Sequence, residues 1–121
     1  MNTRQVKSTT EPESFEILQG KKLINVDITI ETVDNVVEYS YIQIIVDINA
    51  DVDSTIAEYE YNWAADELVS SDVQIKYHER NSSRAQLTVE DWYVYQEELR
   101  DYATVDNGVY SLRTEKPVSP I

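Results

Sequence analysis

The strongest constraint in this chain is a stretch whose side chains alternate with a period of two, beginning at Leu23. In "LINVDITIETV", residues 23–33, Ile24, Val26, Ile28 and Ile30 fall on one face of an extended strand and Asn25, Asp27, Thr29 and Glu31 on the other. This is the pattern of a half-buried strand; wound as a helix, the same residues would scatter their apolar atoms around the cylinder. Asp34-Asn35 follows, a pair whose side chains tolerate positive φ, and the β-branched residues on either side predict a two-residue hairpin. The second arm, "VVEYSYIQIIVDIN", is rich in aromatic and β-branched residues. It ends with apolar side chains on both faces at Ile44, Ile45 and Val46, as an interior strand would.

Downstream, "STIAEYEYNW" alternates Tyr59, Tyr61 and Trp63 with Glu58, Glu60 and Asn62 and reads as a third strand, making an antiparallel meander with the first two. "AADEL" reads as a brief helical turn, and "DVQIKYHE" as a fourth strand with Val73, Ile75 and Tyr77 on one face. Asn81-Ser82-Ser83 breaks the pattern. The clearest helix signal is "LTVEDWYVYQEELRDY", residues 87–102. Thr88 is a good N-cap, Asp91 stands where a capping box needs its acceptor, and Leu87 and Trp92 have the spacing of a hydrophobic staple, so the helix is expected to start at Val89. Trp92, Tyr95, Leu99 and Tyr102 then form one apolar stripe, the candidate helix anchor or partner-binding face. A turn at Asp106-Asn107-Gly108 and an extended piece with two prolines close the sequence.

The expected fold class is α+β, a small antiparallel β-sheet of about four strands with one C-terminal α-helix. A chain of 121 residues with 41% apolar content suits a single domain. Within it, 1–14 reads as a flexible N-terminal arm or extended clamp, 15–80 as the antiparallel β region, and 81–121 as the capped helix and proline-containing tail packing on the sheet.

Charge narrows the partners. Residues 23–75 contain twelve Asp and Glu and no Lys or Arg, and the whole chain carries −13. Repulsion from phosphates and anionic lipid argues against nucleic acid and membrane surfaces; the carboxylates either solubilise a sheet and discourage edge pairing or meet a basic protein surface, the natural partner. Without a signal-type or membrane-spanning apolar run, a cytoplasmic location is expected.

Chemistry-bearing motifs are sparse. With no cysteine, disulfides, thiolate metal sites and catalytic thiols are excluded. His78, the single histidine, reads as a surface strand residue, and the two glycines, Gly20 and Gly108, stand singly as turn residues. No pair of carboxylates is marked as general acid and base, so an enzyme is not expected. One cofactor motif stands out. "DINADVDSTIAE" places Asp47, Asn49, Asp51, Asp53, Thr55 and Glu58 at the ligand positions of a calcium loop, although Val52 occupies the sixth position, where the turn requires glycine. Ca²⁺ is the only cofactor the sequence suggests.

Residues 84–118 resemble the C-terminal segment of phage tail assembly chaperones, also called tail-fibre assembly proteins. That segment has a Leu-Thr start, a Trp, a Tyr-Arg-Gln-x-Leu-Arg-Asp run, a short turn and a Trp-Pro-x-x-Pro ending. This chain shows Leu87-Thr88, Trp92, Tyr95, Leu99-Arg100-Asp101 and a loop leading to Lys116-Pro117. It departs at Gln96, where the family usually has Arg, and at Leu112-Arg113-Thr114, which lacks the Trp-Pro. The resemblance implies a non-enzymatic phage tail protein that binds a tail fibre and assists its assembly in the host cytoplasm. Similar endings occur on phage structural proteins, so a permanent small virion component of the fibre or baseplate is the alternative. Charge alone adds a third, an acidic inhibitor of a host nucleic-acid-binding enzyme.

Overall fold

The computed structural model describes residues 1–121. In chain order it has strands β1 (Thr3–Ser8), β2 (Phe15–Leu18), β3 (Lys21–Val33) and β4 (Val36–Asp47), helices α1 (Val52–Glu79) and α2 (Val89–Tyr102), and strands β5 (Ala103–Asp106) and β6 (Val109–Leu112). The class is α+β with a four-stranded antiparallel sheet, a second two-stranded sheet, and two helices where one was expected. The chain divides into two compact units, residues 1–56 and 57–121, with the boundary just inside α1. No helix is long and apolar enough to cross a membrane.

In the first unit the strand order is β1-β4-β3-β2. Strands β2, β3 and β4 form a hairpin meander and β1 returns beside β4, a Greek-key arrangement. The hairpins turn on Gln19-Gly20 and Asp34-Asn35, both residues of each pair having positive φ, as the tight turn that matches strand twist requires. The Asp34-Asn35 turn stands where its side-chain chemistry predicts it. Ile24 and Ile44 lie directly opposite one another and are fully buried, flanked on the same face by Val26 and Ile42. Across the other face runs a polar row. Arg4 Nε donates to Gln43 Oε1 at 2.8 Å, Gln43 Nε2 donates to Asn25 Oδ1 at 3.0 Å, and Asn25 Nδ2 donates to the Glu13 carbonyl at 2.9 Å. Gln43 is 2% exposed, so this full pairing is what makes its burial tolerable.

Two expectations for this unit are corrected. Residues 3–8, read as part of a flexible arm, pair with Tyr39–Ile44 of β4. The pairing is backbone-driven and locked by Arg4 on Gln43, a partner 39 residues away that no local pattern reveals. The second correction concerns β3. Val26 opposes Ile42 but Thr29 opposes Ser40, so Asp27 and Ile28 together face one residue of β4, with Asp27 at φ 52°. This bulge shifts the alternation by one. Beyond it Thr29 shares the Ile24 face and Ile30 shares the Asn25 face, opposite to the reading of Ile24 through Ile30 as one stripe.

The largest correction is α1. The segments read as third and fourth strands, with the turn between them, form one helix of 28 residues. Its buried positions after the first turn are Ala57, Glu60, Ala64, Ser71 and Ile75, spaced as one helical face but composed mostly of small or polar residues. A hydrophobicity pattern cannot register such a face, while the exposed Val73 and the partly buried Tyr59, Tyr61 and Trp63 imitate a strand. The helix ends in a Schellman motif. Asn81 adopts φ 52°, its amide donates to the His78 carbonyl at 3.2 Å, and the Ser82 amide donates to the Tyr77 carbonyl at 2.9 Å.

Helix α2 starts at Val89, and its capping box is made: Thr88 Oγ1 accepts from the Asp91 amide while the Asp91 carboxylate accepts from the Thr88 amide. Leu87 does not act as the expected staple. It sits at φ 59° and is 52% exposed. The approach to the helix is instead held by Trp92, whose Nε1 donates to the Gln86 carbonyl at 2.9 Å.

Candidate interaction surfaces

The sequence marked the aromatic stripe of α2 as anchor or binding face, and the structure places all of it inside. Trp92, Tyr95, Leu99 and Tyr102 are each no more than 4% exposed and form one cluster with Ala64, Ile75 and Ala103, bordered by Tyr61, Trp63, Leu68 and Val89. The face they pack on is α1. Ala64 lies in the same cluster as the rings, and Trp63 meets Tyr102 edge to face at a centroid separation of 6.2 Å. Polar links set the register of the two helices. Tyr95 donates its hydroxyl to Glu67 Oε1 at 2.9 Å, and Gln96 Nε2 donates to Ser71 Oγ at 2.9 Å and Asp72 Oδ1 at 2.8 Å. Burial, reinforced by the Glu67 carboxylate, pushes the Tyr95 phenol up, so it stays a hydrogen-bond donor across the working pH range.

The extended tail is also held within this unit. Lys116 Nζ reaches Glu60 Oε2 at 3.0 Å and sits 4.3 Å from the centre of the Trp63 ring, combining an ion pair with a cation–π contact. Pro117 beside it is buried. The Lys116-Pro117 ending and the α2 aromatics, which carry the family resemblance, therefore belong to one packed body with α1.

The calcium reading is overturned. Asp47 closes β4 and accepts the Asn49 amide at 2.9 Å, Asp51 caps α1 by accepting the Ser54 amide at 2.8 Å, and Asp53 and Glu58 lie on the helix itself. No group of three or more His, Asp or Glu side chains converges to hold a metal ion. Physically, a helix N-terminus has replaced the loop that would have turned the carboxylates inward, and the glycine missing at Val52 is replaced by the first helical residue. The Ser54 amide holds the Asp51 carboxyl below its ordinary value, with a smaller contribution from Lys22. His78 lies on α1, not on a strand, with Nε2 2.9 Å from the Gln86 carbonyl.

The surface that sequence reasoning missed is the far half of the β3–β4 hairpin. Strand β2 covers β3 only as far as Ile24, and β1 covers β4 only to Tyr39, whereas the hairpin continues to Val33 and Val36. The remaining two-stranded ribbon exposes Ile28, Ile30, Val33, Val36 and Val37. Its charged residues are all acidic: Asp27, Glu31, Asp34 and Glu38, the last paired directly across from Glu31. The available signal was strand length, since arms of 13 and 12 residues outrun partners of 4 and 6. Where β1 pairs with it the long second arm is interior; beyond Tyr39 both outer edges of the hairpin are open, and the longer of the two belongs to β3.

No protein-family model matches this sequence, and no curated protein or solved structure matches it significantly.

Proposed function

We propose that this chain is a non-enzymatic phage tail protein that binds a tail fibre and assists its assembly in the host cytoplasm. The observation that carries the reading is the motif of residues 84–118, Leu87-Thr88, Trp92, Tyr95, Leu99-Arg100-Asp101 and Lys116-Pro117, with its resemblance to the C-terminal segment of tail-fibre assembly proteins. The exposed acidic ribbon supports it. An assembly factor must offer a surface that substitutes for contacts the fibre has not yet made, and apolar side chains beside open backbone are suited to that task. The motif aromatics, being buried, serve the fold of the protein and leave the contact to other residues.

Affinity purification of the tagged chain from phage-infected cells, with identification of the bound protein, tests this. Recovery of a tail fibre supports the reading, and recovery of a host nucleic-acid-binding enzyme or of nothing rejects it. Purified particles distinguish transient from permanent association: an assembly factor is absent from them, whereas a fibre or baseplate component is present at fixed stoichiometry.

A further inference from the structure

We infer that the outer edge of β3 beyond its bulge, residues 28–33, takes up an extended segment of a basic protein as an added strand, with Lys or Arg opposite Glu31 and apolar residues at the alternate positions. The site is defined by strand register and charge and goes beyond the identity of the fibre, so a fibre that fails to bind and a ribbon that fails to bind are separate results.

β3 pairs with β4 on one side as far as Val33, but β2 ends opposite Ile24, which leaves the outer edge of residues 28–33 without a neighbouring strand. A two-stranded ribbon is marginal alone, and a third strand is what normally stabilises it. The side chains agree. Ile30 is 67% exposed, and Val33, Val36 and Val37 are exposed beside it, far more apolar surface than a solvated ribbon tip requires.

Charge selects the occupant. Glu31 and Glu38 oppose one another on the same face, a cross-strand pair of like charge that a cation between or beside them would relieve. A second copy of this chain is the wrong partner, because residues 23–75 contain no Lys or Arg and two ribbons would bring acid against acid. The same carboxylates that discourage self-pairing therefore favour a basic strand.

The test uses the full chain with a labelled synthetic peptide of about eight residues alternating Lys and Val, a common strand length. Two further peptides alternate Glu with Val and Lys with Gly. The Lys-Val peptide is expected to bind and to slow amide exchange within residues 28–33. The paired change Glu31→Lys with Glu38→Lys should weaken binding roughly tenfold, whereas Asp66→Lys with Glu79→Lys, the same charge change on α1, should alter it by less than about twofold. Ile30→Lys, at an exposed position, should also weaken it while leaving the far-UV circular dichroism unchanged. Equal binding of the Lys-Gly peptide, equal loss in both charge variants, no binding at all, or a dimer of the chain that occupies the ribbon would each overturn the inference.

Discussion

At the scale of single residues, Trp92 has two roles. Its ring is part of the core between the helices, and its Nε1 ties α2 to the Gln86 carbonyl that precedes it. Trp92→Ala is therefore expected to cost roughly 3 to 5 kcal/mol in chemical denaturation, with Tyr102→Ala in the same structural class. Retention of wild-type stability by the Trp92 variant would contradict its burial between the helices. Asp51 is a pH-dependent counterpart. Its folded value is depressed below 3.8, so its capping contribution is present above that value and lost as pH falls through the folded one. The gap in melting temperature between wild type and Asp51→Ala should be largest near neutrality and close in acid. A constant gap would mean that the carboxylate charge plays no part in the cap.

At the scale of elements, α1 shows how a strand pattern and a helix can share one sequence. Tyr59, Tyr61 and Trp63 alternate, but the buried line passes through Glu60, Ala64, Ser71 and Ile75. Ala64 lies where the α2 rings approach, so Ala64→Leu should overpack the site and cost about 1 to 3 kcal/mol, measured by urea unfolding, while leaving helix content intact. If this segment were a strand with Ala64 on an open face, the substitution would be nearly neutral. The turn between β4 and α1 belongs to the same scale. Its carboxylates are committed to Asn49 and Ser54 amides, and millimolar Ca²⁺ should leave the melting temperature where EDTA leaves it, because only a ligand of the native state can raise it. An upward shift would restore the metal loop.

For the molecule as a whole, acidity is shared by both compact units. Residues 1–56 carry ten acidic and four basic side chains and residues 57–121 thirteen and six, giving −6 and −7. Each unit thus folds against its own repulsion, which salt screens beyond a Debye length of about 8 Å at physiological ionic strength. Raising NaCl from a few millimolar into the physiological range should raise the melting temperature. A flat or falling curve would indicate that local ion pairs such as Lys116 with Glu60 outweigh the diffuse repulsion.

What the sequence determined by itself was local. The β3–β4 hairpin was legible because Asp34-Asn35 supplies positive φ at both turn positions, and α2 because its cap, its acidic first turn and its aromatic stripe all lie within 15 residues. The four stripe residues were legible as an anchor for the same reason. What only the tertiary structure decided depended on distant partners. β1 is a strand because β4 accepts it, α1 buries Ala64 and Ile75 against the α2 aromatics, and within the Asp47 to Glu58 run Asp51 caps a helix. The exposed ribbon was hidden by both limits at once: a bulge at Asp27-Ile28 reversed its faces, and whether a strand has a neighbour is settled by where the other strands end.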